Sequence, residues 1–164
     1  MGNDPAGWVA PEDGSVDCCE TLLRGVTETQ LVWDCARNQP AANFDAFIPR
    51  YGKEDSLSVS RRGLTTLASF WERLPNSVAA TSLRAGQVRS IGLTVAASPR
   101  GNNLAHASIA GMPVVPRNDT RYDETLEWAY RLQALASVGD YRDPATKQRV
   151  LRDLRGPGGT TRQA

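Results

Sequence analysis

The sequence predicts an α+β fold: one domain in which a mainly antiparallel sheet carries two or three packed helices. Three observations lead there. Short segments such as Ser56 to Ser60 and Ile91 to Val95 alternate apolar with small polar residues, the period-two mark of half-buried strands. Two longer segments, 64–74 and 120–138, place apolar residues at helical spacing instead. The chain has 164 residues, 40% of them hydrophobic and 23% charged, with no internal repeat or linker, which suits a single globular domain.

Residues 1–17, rich in Gly, Pro, Asp and Ser, are expected to form an acidic arm without fixed structure, with Trp8 and Val9 able to pin it. The domain is expected over 18–155. Glu20 to Val26 and Gln30 to Trp33 read as short strands, and 38–43, containing Pro40, reads as a loop. Tyr51 to Asp55 is a turn before the strand Ser56 to Ser60. In Leu64 to Leu74, Thr65 or Thr66 caps a helix with the stripe Leu67, Phe70, Trp71 and Leu74, and Pro75 ends it.

Val78 to Leu83 and Gln87 to Ala96 flank Ala85-Gly86, a link too short for a parallel crossover, so they are expected to pair as a hairpin. After the polar loop Ser98 to Asn103, Leu104 to Ile109 reads as another strand. Thr120 to Val138 is the longest helix expected, with Thr120 and Asp123 as a capping-box variant and Gly139 as its left-handed cap. Asp143-Pro144 opens a last helix as cap and first residue, and 156–164 is expected to be a disordered tail.

Charge and cysteine content exclude more than they assign. The formal charge is +1, so the total does not point to nucleic acid, which stands as an unlikely partner. Arginine outnumbers lysine 17 to 2, a bias that genome composition also produces. Acidic side chains gather in residues 1–20 and basic ones near the end, as solvated tails do. Cys18, Cys19 and Cys35 are odd in number and lack ligand spacing, which argues against zinc frameworks and a secreted disulfide scaffold. The first residues carry no apolar signal segment and no run approaches bilayer length, so a cytoplasmic protein with no membrane contact is expected. Neither a metal nor a cofactor is expected.

Chemistry has few places to reside. His106 is the one histidine, at the parity of Leu104 and Ser108 and opposite Ala105, Ala107 and Ile109. With the small apolar residues inward, its imidazole faces solvent or a cleft, where a pKa near 6.5 suits acid–base work. A histidine bonded to nearby backbone is the plainer alternative. Arg24 is a charge in an apolar strand, which calls for a partner or a ligand. Either it grips an anion in a cleft or it pairs with Asp34 or Glu20. In Ser98 to Asn103, Arg100 and Asn102 are candidate anion contacts, although the loop matches no phosphate-binding fingerprint and also reads as a plain hairpin loop. Arg50, Lys53, Arg61 and Arg62 form a local basic cluster, read as solvated charges at strand ends.

Taken together, LLRGV (22–26), SLSVSRRGL (56–64), LRAGQVRSIGLTVAASP (83–99) and NNLAHASIAG (102–111) resemble a set of small bacterial proteins of unassigned activity. The resemblance implies a bacterial source, a compact domain and the setting of a conflict system, toxin–immunity or anti-phage. Arg-Gly in LLRGV and Ser-x-Ser in LSVS are also similar to the first two motifs of the Arg-Ser-Glu ADP-ribosyltransferases. That likeness implies Arg24 on substrate phosphates and Ser58 in a nicotinamide pocket. The third motif is missing its setting, since Glu72, Glu124 and Glu127 fall on expected helices. The leading expectation is a binding or accessory protein of immunity type with a protein partner. The alternative is an enzyme on a nucleotide or other phosphate-bearing substrate, with Arg24 as anion clamp, His106 as acid–base group and Ser58 beside it.

Overall fold

The computed structural model describes residues 9 and 11–156, and every element and count below refers to those residues. It is an α+β domain built on a six-stranded antiparallel sheet. The strands are β1 (Thr21–Val26), β4 (Leu57–Arg61), β5 (Ala79–Arg84), β6 (Thr94–Ala97), β7 (His106–Ala110) and β8 (Ser137–Tyr141), in the order β6-β7-β4-β1-β5-β8. A separate hairpin joins β2 (Leu31–Asp34) to β3 (Gln39–Ala42). The helices are α1 (Leu67–Arg73), α2 (Ala85–Ser90), α3 (Tyr122–Leu135) and α4 (Pro144–Arg155).

Period-two alternation decides which side of the sheet is core. Leu22, Val26, Leu57, Val59, Leu83, Ala107 and Ile109 share one face and are buried together with Val88 of α2, Ala129 and Leu132 of α3 and Val150 of α4. The opposite face is closed over Leu23 and Ala80 by Phe70 and Trp71 of α1. Beside that helix the same face carries Ser58, Ser60 and His106.

Local signals account for several element ends. Thr66 caps α1 by accepting from Ser69 N–H at 3.2 Å, and Pro75 follows the end of that helix. Asp143 caps α4 through Thr146 N–H at 2.7 Å, with Pro144 in its first turn. Gly25 is closely approached by the segment after α1: a Cβ there would lie 2.6 Å from Ser77 Oγ and 2.7 Å from Leu74 Cδ1, so those side chains would have to move.

Four expectations are corrected. Residues 87–96 are not one strand pairing with 78–83. Ala85 and Val88, three apart, bury one side of α2, and only Thr94–Ala97 is extended. That strand pairs with β7, while β5 pairs with β1 and β8, and three strands lie between β6 and β5. A helix link carries the chain across the core face where a hairpin was expected. Residues 39–42, expected as a loop, pair with β2 despite Pro40, which a two-stranded edge tolerates.

The long helix starts at Tyr122 without a capping side chain, and Asp119 instead accepts from Arg121 N–H at 2.8 Å. It stops at Leu135, so Val138 and Gly139 belong to the edge strand β8. Finally, part of the acidic arm is built into the body: Val16 is buried in the core, and Arg61 holds the carbonyls of Gly14 and Ser15. Trp8 and residues 157–164 lie outside the described residues.

Candidate functional site

β1 and β4 pair at only two positions, Leu22 with Arg61 and Leu23 with Ser60. Past that point the residues of both strands line a cleft of about 520 Å³. The C-terminal end of α1 and the Pro75–Ser77 segment wall one side, and Arg100, Asn103 and His106 contribute to another. Its volume falls in the range of small-molecule sites.

Arg24 helps hold this cleft together. It shares the core face with Leu22 and Val26, and its Nη1 donates to Ser58 O at 2.7 Å and to Glu54 Oε1 at 3.3 Å. Nε donates to Ala46 O at 3.0 Å. Its ion partner is therefore Glu54, and neither Asp34 nor Glu20, the partners named in one of the two sequence alternatives, pairs with it. Burial pulls the guanidinium below its ordinary pKa and the Glu54 charge offsets this. Burial alone would raise the Glu54 carboxyl. The Arg24 charge and the bond from Arg50 N–H outweigh it and hold Glu54 below the usual carboxylate value.

Glu20 belongs to a different pair. It meets Arg61 at 2.6 and 2.7 Å, and the two side chains are 0% and 2% exposed. Arg61, expected as a solvated strand-end charge, is thus a buried one, because its parity with Leu57 and Val59 points it to the core face.

The remaining cations of the cleft are Arg50, Lys53, Arg73 and Arg100. Arg50 shares Glu54 with Arg24 at 3.3 Å, and Arg100 lies 3.8 Å from an exposed Asp55. Among the described residues Lys53 and Arg73 have no ion-pair partner, and Glu54 is the only carboxylate lining the cleft. Five cations and one carboxylate thus line the cleft, and the carboxylate is held by two of those cations. That field favours an anion.

His106 is buried on the cleft wall. Its Nδ1 lies 2.7 Å from Ser98 O and 2.8 Å from Ser98 Oγ. A carbonyl only accepts, so Nδ1 carries the proton and neutral Nε2 is left as a bare acceptor. Ser98 Oγ in turn meets Ser108 Oγ at 2.7 Å. Burial and the nearby Arg100 charge lower the imidazole pKa, against the Ser98 bond and the charges of Glu54 and Asp55. Nε2 and Asn103 Oδ1 are both enclosed without a hydrogen-bond partner. Of the two alternatives the sequence left for His106, an open acid–base group or a backbone-bonded histidine, the structure shows a ring on the cleft wall bonded to Ser98 O with Nε2 enclosed.

Of the residues singled out in the sequence, His106, Ser58, Arg24 and Arg100 come together in the cleft, whereas Asn102 is exposed and its neighbour Asn103 takes the place. Glu72, Glu124 and Glu127 do not line it. Arg73 is exposed at the end of α1, three residues after the buried Phe70, and carried no clear signal in the sequence. Glu54, in the turn YGKED, carried none.

Among the described residues there is no group of three or more His, Cys, Asp or Glu side chains suited to a metal, and no helix long and apolar enough to cross a membrane. The three cysteines are exposed and free. No family model, no curated protein and no solved structure matches the chain.

Proposed function

We propose that this protein works by binding, and that its cleft takes a small phosphate-bearing anion. The observation that carries the reading is the charge surplus around Glu54, with Lys53 and Arg73 unpaired among the described residues. Arg24, already bonded to Glu54, Ala46 and Ser58, supports the cleft, and the ligand's phosphate is held by Arg50, Lys53, Arg73 and Arg100. An immunity-type accessory role accords with binding rather than turnover. A protein partner would then meet the exposed Leu104, next in sequence to the cleft residue Asn103.

The test is calorimetric titration of the full chain with inorganic pyrophosphate at low and high salt. Binding that weakens with salt, and about tenfold on Arg73→Ala, is the expected result, tenfold being about 1.4 kcal/mol. Absence of binding by the folded chain at millimolar pyrophosphate sinks the proposal.

One observation favours a second reading, an enzyme acting on the bound phosphate-bearing compound: neutral His106 offers Nε2 as a base, oriented through Ser98 O. This reading needs the Ser98–Asn103 loop to shift, since Nε2 is enclosed. Turnover abolished by His106→Gln with binding retained would support it, and binding without turnover would end it.

A further inference from the structure

A second recess of about 470 Å³ adjoins the cleft, and the two share Thr27, Gln30 and Arg50. Their chemistry differs. Beyond the shared Arg50, the second recess has one acid and one base, Asp45 and Arg117, so it exerts little net pull on a phosphate. Its walls are Ile48, Pro49, Val115 and Pro116, and it carries two tyrosines, Tyr51 and Tyr122. Tyr51 is 62% exposed, a large ring surface left in water beside a basic cleft. Asp45 has no ion pair among the described residues and is available to accept from ring N–H groups.

We infer that the ligand is a free nucleotide lying across both recesses, its phosphates in the cleft and its base in the tyrosine recess. This rests on the anion-binding reading above and names the ligand class for that site. A flat aromatic ring suits apolar walls and tyrosine faces, which stack on bases without demanding a particular one. Arg50, lining both recesses, sits where the base-bearing half of such a ligand meets its phosphates. An ordinary sugar phosphate would leave the second recess empty, and an aromatic compound without phosphate would leave the cations unanswered.

The experiment compares guanosine diphosphate, inorganic pyrophosphate and a short single-stranded oligonucleotide by calorimetry on the full chain and on Tyr51→Ala. Tyr51 is exposed, so its truncation spares the core. The expected result is guanosine diphosphate binding about tenfold more tightly than pyrophosphate, the effect of one stacked base. Tyr51→Ala should remove that gap and leave pyrophosphate affinity unchanged. Equal affinity for the two, or a gap that survives Tyr51→Ala, overturns the inference while the anion reading stands. Binding of neither overturns both. An oligonucleotide that binds more tightly than the diphosphate overturns the free-nucleotide assignment.

Discussion

Two arginine clusters sit on the same central strands and keep opposite charge accounts. In one, Arg61 faces Glu20 alone, each is almost wholly buried, and the remaining guanidinium donors go to Gly14 and Ser15 carbonyls. In the other, Arg24, Arg50, Lys53, Arg73 and Arg100 line one cleft with the single carboxylate of Glu54. The first cluster is closed: every charge has its complement, and the pair ties residues 14–20 to β4. The second is open, with more positive charge than the described residues neutralise. A balanced buried pair belongs to architecture, whereas surplus charge around a cavity of ligand size points outward to a bound species.

The comparison is broken most severely at the closed cluster. Glu20→Gln leaves the Arg61 charge buried with no counter-charge, and the chain should lose about 3–5 kcal/mol in urea unfolding. A loss below 1 kcal/mol would mean that Arg61 is not truly enclosed. Replacing both partners by apolar residues of similar volume should cost far less than either single change.

Gly25→Ala should follow, at about 1–3 kcal/mol, because its Cβ meets Ser77 Oγ at 2.6 Å and Leu74 Cδ1 at 2.7 Å. The Leu74 and Ser77 side chains that would have to move line the cleft, so pyrophosphate affinity should fall with stability. A fall in stability alone would show that they do not shape the site.

The pH dependence of His106 sharpens the open side. Its folded pKa lies below the ordinary 6.5, so between the two values the unfolded chain holds more protons. Its contribution is whole above about pH 6.5 and is lost as pH falls through the folded value. Unfolding midpoints of the native chain should drop on acidification below that pH more than those of His106→Gln. As the one histidine, His106 also gives a single imidazole resonance, and an NMR midpoint above 6.5 would contradict the burial described here.

The smallest change in stability is expected where the charge is in surplus. Arg73→Ala removes a side chain with no ion partner among the described residues, so stability should move by less than about 0.5 kcal/mol. A larger loss would place Arg73 with the structural arginines and remove it from the ligand's surroundings.

How much was legible beforehand depended on whether the signal was local. Caps such as Thr66 and Asp143 were readable because the bond they make spans three residues. The parity of His106 was readable because strand alternation is a property of neighbours. The segment 87–96 was misread since Ile91, Leu93 and Val95 alternate like a strand while Ala85 and Val88 also suit one turn of helix. The end of α3 was misread for a related reason: Val138 continues a helical pattern, yet pairing with β5 claims it for the sheet edge.

The site itself was half visible. Arg24, Ser58, Arg100 and His106 stood out as polar residues in or beside apolar strands. That they line one cleft depends on β7 and β1 flanking β4, pairings between residues 46–52 and 37–39 apart in sequence. By itself, then, the sequence determined the α+β class, the caps of α1 and α4 and the alternation of β4 and β7, since these follow from spacing over a few residues. Only the tertiary structure decided that Arg61 is matched by Glu20 and Arg24 by Glu54, 41 and 30 residues away respectively. Coulomb energy depends on distance in space and on burial, and neither is written in the order of residues along the chain.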